Sequence, residues 1–189
     1  MRIPTIQIDY PEWVEPAVDW DRRYASDEEK MRLAIDLSRE NVRRGTGGPF
    51  GAAVFRADTG ELVSVGMNSV VRLNNCTLHG EIVAFMMAQT RLGSFTLNAP
   101  HLPAHELVTS CEPCAMCLGA TLWSGVRRLV YGAGREDASM LRFDEGPVFP
   151  ASYQYLEERG ITIVRSLLRD EAVSVLEHYR AKNGTIYNG

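Results

Sequence analysis

The two short stretches that decide the fold are HGE at residues 79–81 and PCAMC at residues 113–117. Together they supply one imidazole, one carboxylate and two thiols three residues apart. A zinc ion in a protein takes about four ligands, mostly Cys sulfur and His nitrogen, and a catalytic site leaves about one position to water. Proline suits the first position of a helix, and residues three apart share a helix face. The sequence therefore predicts one zinc ion per chain, bound by His79, Cys114 and Cys117.

Glu81, two residues after His79, is the predicted catalytic acid and base. A helix that begins at His79 lets Glu81 reach a water activated by the metal without ligating the metal itself. Such a water beside a general acid or base is a hydrolytic centre. Two alternatives stay open: Cys111 completes a closed structural site of four ligands, or the thiols are buried without any metal. Glu81 favours the hydrolytic interpretation, because a closed structural site has no use for it.

The spacing H-x-E followed by P-C-x-x-C is the signature of zinc nucleobase deaminases. At these residues the sequence resembles the cytidine deaminase-like superfamily and, within it, the guanine deaminases. The resemblance covers about residues 27–189 and includes further segments in the same order and spacing: 47–52, Asn68, 110–120, Trp123, 129–131 and 143–145. It implies a three-layer α/β/α fold and a zinc-dependent aminohydrolase.

The resemblance also implies five further residues around the substrate. Phe50 is similar to the aromatic that stacks on the base, and Asn68 to the amide that reads the edge of the base. Glu145 resembles a second catalytic carboxylate, which holds the guanine amine or passes a proton to the departing ammonia. Trp123 resembles an aromatic that lines the site, and Tyr187 a C-terminal aromatic that closes over it. Plainer interpretations are core packing for Phe50 and Trp123, a turn for Asn68, a solvated loop for Glu145 and a frayed end for Tyr187.

The implied reaction is the hydrolysis of guanine to xanthine and ammonia, a step of purine catabolism. One residue departs from the pattern: Gly80 stands where guanine and tRNA-adenosine deaminases usually have Ala, and the fungal type of cytosine deaminase has Gly. Zinc ligation is unaffected, but the pocket wall differs. Deamination of cytosine, of s-triazines such as ammeline or of pterins therefore stays open, as does the weaker possibility of tRNA adenosine. A zinc-stabilised binding module without catalysis is the alternative from a different class.

The composition of the chain limits the kinds of partner that it can bind. The 189 residues carry a net charge of −4, which argues against a large nucleic-acid surface. No apolar run reaches the roughly 20 residues of a membrane span, and the N-terminus lacks a signal-peptide pattern. Three of the four cysteines fall within seven residues, unlike a disulfide framework. We expect a cytoplasmic enzyme that acts on a small nucleobase, and the resemblance adds a homodimer.

The order of predicted elements indicates an α/β domain over residues 26–189, preceded by an N-terminal arm over residues 1–25. Prolines and aromatic residues alternate in the arm, which suggests a segment that packs on the body or on a partner subunit. Strands separated by helices favour a mixed sheet of about five strands between helical layers. The predicted strands are 51–55, 62–67, 106–109, 126–131 and 161–167. The predicted helices begin at Ser26 and His79, follow Pro113, and span 153–159 and 171–182.

Overall fold

The computed structural model describes residues 3–187, which form five strands and eight helices. The strands are β1 (Gly51–Arg56), β2 (Leu62–Met67), β3 (His105–Cys111), β4 (Arg128–Ala133) and β5 (Thr162–Val164). The helices are α1 (Val14–Ala17), α2 (Asp27–Arg44), α3 (Val70–Leu73), α4 (Gly80–Leu92), α5 (Ala115–Ser124), α6 (Arg135–Ser139), α7 (Pro150–Glu158) and α8 (Arg169–Ala181).

The sheet is mixed and has the order β2-β1-β3-β4-β5. Strand β1 is antiparallel to both of its neighbours, whereas β3, β4 and β5 run parallel to one another. Parallel neighbours need a crossover connection, and α5 and α7 supply it on the way into β4 and β5. The predicted mixed sheet of five strands, with a parallel fifth strand, is confirmed.

Helices cover both faces of the sheet, because successive side chains of a strand point to opposite faces. Along β3, Leu107 packs with residues of α4, α5 and α7, and Val108 packs with residues of α2 and α8. Both side chains are completely buried. Two apolar cores therefore lie on either side of the sheet, as the predicted α/β/α arrangement requires.

The first long helix begins as its sequence indicates. The Ser26 hydroxyl accepts a hydrogen bond from the backbone N–H of Glu29, and the Glu29 carboxylate accepts one from the backbone N–H of Ala25 at 2.7 Å. This reciprocal arrangement satisfies backbone donors that have no partner within the helix. Gly45 ends the helix with φ +67°, a conformation that favours glycine. The last predicted strand is shorter than expected, because Ser166 and Leu168 adopt positive φ angles and break it.

The N-terminal arm packs against the domain. Trp13 and Val14 are buried in the core that α2 and α8 share. The Tyr10 hydroxyl donates a hydrogen bond to Val65 O at 2.9 Å, on the outer edge of β2. The arm also contains one short helix, α1, which the prolines did not lead us to expect. Within residues 3–187, no helix is both long and apolar enough to cross a membrane.

Candidate active site

The predicted zinc ligands lie where two helices begin at the carboxyl end of β3. His79 is the residue that precedes α4, and Cys114 is the residue that precedes α5. Both have extended backbone angles, so each side chain stands beside the free N–H groups of a helix start. Cys117 lies one turn into α5. Sites at the carboxyl ends of strands are common in open α/β sheets, because the loops there converge.

The donor atoms of these three residues are close enough to share one metal ion. The ligand atoms of His79, Cys114 and Cys117 all lie within 4.8 Å of one another, and His79 Nδ1 is 3.5 Å from Cys114 Sγ. A tetrahedral zinc site, with Zn–N near 2.1 Å and Zn–S near 2.3 Å, separates its ligands by about 3.5 Å. One nitrogen and two sulfurs therefore fit a zinc ion and leave a position for water. Among the described residues, this is the group of His, Cys, Asp and Glu side chains that can hold a metal.

Cys111 does not belong to this group. Its thiol is buried and contacts Gly134 O at 3.8 Å, at the end of the neighbouring strand. It is absent from the three residues whose ligand atoms all lie within 4.8 Å of one another. Burial raises the pKa of Cys111 well above its usual range. The closed structural site with Cys111 as fourth ligand is therefore disfavoured.

The Cys114 thiol is electrostatically prepared for a cation. A hydrogen bond from Cys117 lowers the pKa of Cys114 to about 4, and the His79 imidazole contributes further to that shift. The same Cys117–Cys114 hydrogen bond raises the pKa of Cys117. Burial opposes the charged form of His79, but its contact with Cys114 and the charge of Glu81 outweigh burial and raise its pKa. The pair holds one thiolate beside an imidazole, an arrangement that favours a divalent cation.

Glu81 lies beside the ligands but outside the group that can hold the metal. Its carboxylate is buried, and one oxygen is 3.3 Å from Cys117 Sγ. Burial raises the pKa of Glu81, and the negative charge of the Cys114 thiolate raises it further. A general acid or base works best with a pKa near the operating pH. Glu81 therefore has the position and the electrostatic environment of a proton carrier.

The ligands open onto a cavity of about 280 Å³. Its lining includes the ligands His79 and Cys114, four acidic residues and three aromatic rings: Phe50, Phe143 and Tyr187. The ring of Phe143 lies 5.0 Å from that of Phe50 and 5.0 Å from that of Tyr187. Small-molecule pockets commonly run from about 300 Å³ upward. A cavity at the lower end of that range, walled by aromatic rings, suits a single flat heterocycle.

Glu145 lines the same cavity as Glu81. Its backbone carbonyl accepts a hydrogen bond from Ala115 N at 2.9 Å, which ties the loop of residues 143–146 to the start of α5. Burial raises the pKa of Glu145 to about 8, and the negative charges near Cys114 and on Glu81 add to this effect. A protonated carboxyl group can donate a hydrogen bond, whereas a carboxylate can only accept. Two carboxyl groups in different environments are available to a reaction in this cavity.

The remaining predicted residues occupy different positions. Tyr187 lines the cavity, as expected of a residue that closes over it. Asn68 is completely buried and is absent from the described residues that line the cavity, although its backbone N–H donates to Phe50 O at 2.9 Å. The Asn68 side-chain nitrogen is buried without a partner among residues 3–187. A buried amide hydrogen without a partner is costly, which marks this group as one available to a ligand.

The structure contradicts the expectation that Trp123 lines the site. Its side chain is 80% exposed on α5 and is absent from the described residues around the cavity. The alternative of core packing is wrong for the same reason. Helix α5 is apolar on nearly every side, so the pattern could not reveal which face the sheet covers. Trp123 falls on the face that the sheet leaves open.

Sequence reasoning missed Glu112, which lines the cavity between Cys111 and the ligand Cys114. One carboxylate oxygen of Glu112 accepts a hydrogen bond from the Tyr153 hydroxyl at 2.7 Å, and the other accepts one from Arg135 N at 3.0 Å. These contacts tie the ligand loop to α6 and α7. The only sequence signal was an acidic residue inside the cysteine motif, and its partner lies 41 positions away.

Comparison with known proteins agrees with the fold and the ligand geometry. The model of the cytidine and deoxycytidylate deaminase zinc-binding region matches residues 24–133, and the chain belongs to this family. Among relatives, the chain is 34% identical to the guanine deaminase of Bacillus subtilis over 140 residues, which cover 74% of this chain and 85% of that protein.

Two solved structures are similar over nearly the whole chain. The guanine deaminase of Nitrosomonas europaea is 43% identical, with 94% of this chain and 97% of that chain covered and a TM-score of 0.89. A structure of a protein in complex with 2,6-diaminopurine is 44% identical, with 97% of each chain covered and a TM-score of 0.91. The similarity therefore extends beyond the zinc-binding region and covers nearly the whole chain.

Proposed function

We propose that this chain is a zinc-dependent guanine deaminase, which converts guanine and water to xanthine and ammonia. The observation that carries the proposal is the placement of two carboxyl groups, the buried Glu81 and the partly buried Glu145, in one small aromatic cavity beside the zinc ligands. The similarity to guanine deaminases over most of the chain supports the choice of base. Zinc held by His79, Cys114 and Cys117 supplies a water of lowered pKa as the nucleophile.

The chain's own residues would bind the base and move its protons. Phe50 and Phe143 offer ring faces and edges to a flat heterocycle. Glu81 takes a proton from the attacking water and delivers it to the ring nitrogen beside the carbon that bears the amine. The new hydroxyl on that carbon then gives up its remaining proton, which Glu81 or Glu145 passes to the amine. The C–N bond breaks, the carbonyl of xanthine forms, and the amine leaves as ammonia. Asn68 offers its unpartnered amide hydrogens to the carbonyl edge of guanine.

Guanine is favoured over cytosine by the number of polar groups that the site presents. Cytosine is smaller and would leave the amide of Asn68 or the carboxyl group of Glu145 without a partner. An unmet buried polar group costs roughly 1–3 kcal/mol, which corresponds to about one to two decades in specificity. Gly80 shapes the pocket wall beside Phe50, because a Cβ atom at residue 80 would lie 3.3 Å from Phe50 O. The glycine lets the Phe50 loop rest closely on the start of α4.

The test is ammonia release from guanine, cytosine, adenine, guanosine and ammeline by the zinc-loaded protein. We expect the highest kcat/KM with guanine, and a loss of guanine turnover in Glu145→Gln with zinc still bound. Preference for cytosine or ammeline in the wild type would overturn the choice of base. Bound zinc without ammonia release from any of these compounds would support a non-catalytic binding module instead.

We also propose that the chain forms a homodimer through the outer faces of α5 and α7. Four large apolar side chains on or beside these helices are exposed: Met116, Trp123, Phe149 and Tyr155. Large exposed apolar surface commonly marks an interaction site. Trp123→Glu should convert a dimer to a monomer in light scattering, and Val71→Ser, which changes an exposed apolar residue on α3, should not. A monomeric wild type would exclude the dimer.

The four cysteines are free thiols, one of them exposed. Metal-binding thiolates and free thiols persist in reducing compartments. We therefore propose that the protein works in the cytoplasm, in the breakdown of purines. Fractionation of the native cells with an antibody to this chain tests the compartment, and recovery in an extracellular fraction would exclude it.

A further inference from the structure

A chain of buried and partly buried hydrogen bonds connects the N-terminal arm to the loops beside the cavity. Trp13 Nε1 donates to Thr46 Oγ1 at 3.0 Å, and Thr46 Oγ1 donates to Asn41 Oδ1 at 2.7 Å. Asn41 Nδ2 then donates to two backbone carbonyls, Gly48 O and Asn68 O, each at 2.9 Å. Every polar atom of the Asn41 side chain is therefore used. An amide that makes all its bonds in the interior holds its partners in one arrangement.

The position of Asn41 is determined by close packing as well as by these bonds. Asn41 is completely buried on α2. A Cβ atom added to Gly47 would lie 1.9 Å from Asn68 O and 2.6 Å from Asn41 Nδ2. Only a glycine allows the backbone at residue 47 to pass between these groups. The amide of Asn41 and the carbonyl of Asn68 are therefore held together from two sides.

The two carbonyls that Asn41 binds belong to the loops that carry the base-binding residues. Gly48 O also accepts a hydrogen bond from Phe50 N at 2.9 Å, so a shift at residue 48 moves the Phe50 ring. Asn68 is the other partner. Its side-chain oxygen accepts a hydrogen bond from Val70 N at 3.3 Å, and its side-chain nitrogen is buried without a partner among the described residues. The backbone of Asn68 determines where that free amide points.

We propose that Asn41 is a positioning residue for base recognition, which holds Asn68 and the Phe50 loop in register with each other. This inference rests on the proposed function, because it concerns the recognition of the base by Asn68 and Phe50. Neither Gly48 nor Asn68, whose carbonyls Asn41 binds, is part of a strand or helix. Their carbonyls therefore depend on a side chain for the partner that regular structure would otherwise supply. Thr46 and Trp13 fix which way round the Asn41 amide lies, since Thr46 donates to its oxygen.

The main variant is Asn41→Asp, which keeps the size of the side chain and removes both N–H donors. It turns an acceptor toward two carbonyl oxygens, so the loops separate. We expect kcat/KM for guanine to fall by roughly 10- to 100-fold, chiefly through a higher KM, with zinc content unchanged. The matched control is Ser38→Ala on the same helix, which removes a buried hydrogen bond to Ile35 O that does not reach the cavity. The control should keep its KM.

A double-mutant cycle with Asn68→Ala separates positioning from general support of the fold. If Asn41 acts through Asn68, Asn41→Asp should raise KM much less in the Asn68→Ala background than it does in the wild type. Equal losses in both backgrounds would overturn the proposal. Should Asn41→Asp fail to fold, Thr46→Val takes its place in the same cycle, because it removes the donor that orients the Asn41 oxygen.

The outcomes also distinguish this inference from the proposed function. A wild type that releases no ammonia from guanine would contradict both the proposed function and the inference about Asn41. If the wild type is active on guanine but Asn41→Asp has a normal KM, the inference about Asn41 is wrong and the proposed function stands. Trp13→Phe gives a graded check, because it keeps an aromatic ring in the core and removes the first hydrogen bond of the chain together with part of the indole. Its KM should lie between those of the wild type and Asn41→Asp.

Discussion

Replacing Tyr153 by Phe removes a single hydroxyl and tests how the zinc-binding loop is held. That hydroxyl donates to Glu112 Oε1 at 2.7 Å, and Glu112 lies two residues before the ligand Cys114. Burial raises the pKa of Tyr153, as does its hydrogen bond to Glu112, so the hydroxyl stays a donor. After the change, Glu112 retains the hydrogen bond from Arg135 N at 3.0 Å. The loop then has one anchor where it had two.

The expected magnitude follows from the loss of one hydrogen bond to a charged group. Such a bond contributes about 1.5–3 kcal/mol to the free energy of unfolding. In a protein of this size, 1 kcal/mol corresponds to roughly 2–4 °C in Tm, so Tyr153→Phe should lower Tm by about 3–12 °C. Residues that orient metal ligands from behind typically contribute about 10- to 100-fold in metal affinity, and we expect a loss of that order for zinc.

The assay is competition for zinc with a chromophoric chelator, run beside thermal unfolding of the same samples. Tyr155→Phe is the matched control, because it removes a hydroxyl from the same helix that accepts a hydrogen bond from Arg159 on the surface. The control should keep both its zinc affinity and its Tm. A lowered Tm with unchanged zinc affinity in Tyr153→Phe would refute the link between this hydroxyl and the ligand loop. Equal effects in both variants would refute it as well.

Four further substitutions test the zinc ligands, the proton carrier and a buried ion pair of the core. Cys111→Ser should keep one zinc per chain, and Cys114→Ser should lose it, by elemental analysis. Glu81→Gln should keep zinc and lower turnover by about 10²–10⁴-fold in ammonia release, and near-normal turnover would exclude Glu81 as proton carrier. Glu106→Gln strips the buried cation of Lys30, 2.6 Å away, of its partner. It should cost about 3–5 kcal/mol in urea unfolding; under 1 kcal/mol would contradict this.

The zinc ligands could be predicted because short-range spacing places them. Cys114 and Cys117 share a helix turn whatever the rest of the fold does, and β3, which leads into them, follows from its own pattern. The position of Trp123 could not be predicted in this way. Helix α5 is apolar all round, so periodicity gives no direction, and the exposed face is defined only once the sheet has covered the other.

The groups that support the site were also beyond the reach of the sequence. Asn41 and Asn68 are 27 positions apart, and Tyr153 and Glu112 are 41 apart. Each is an ordinary polar residue within its own segment, and nothing local distinguishes a buried amide from one on the surface of a helix. The pairing exists only after α2 packs on β1 and α7 packs beside β4. Support of this kind is a property of tertiary structure.

Strand β2 is the outer strand of the sheet, and the Tyr10 hydroxyl meets its edge at Val65. The edge of a sheet is a template on which another chain can add a strand. At Val65 the hydroxyl satisfies the carbonyl and also contacts the N–H, at 3.4 Å, so one side chain takes the place of a neighbouring strand. The arm thereby covers the edge of β2 at Val65. A chain cleaved after Tyr10 would lose little of its core, yet it would leave the backbone groups of Val65 open to a strand of another chain.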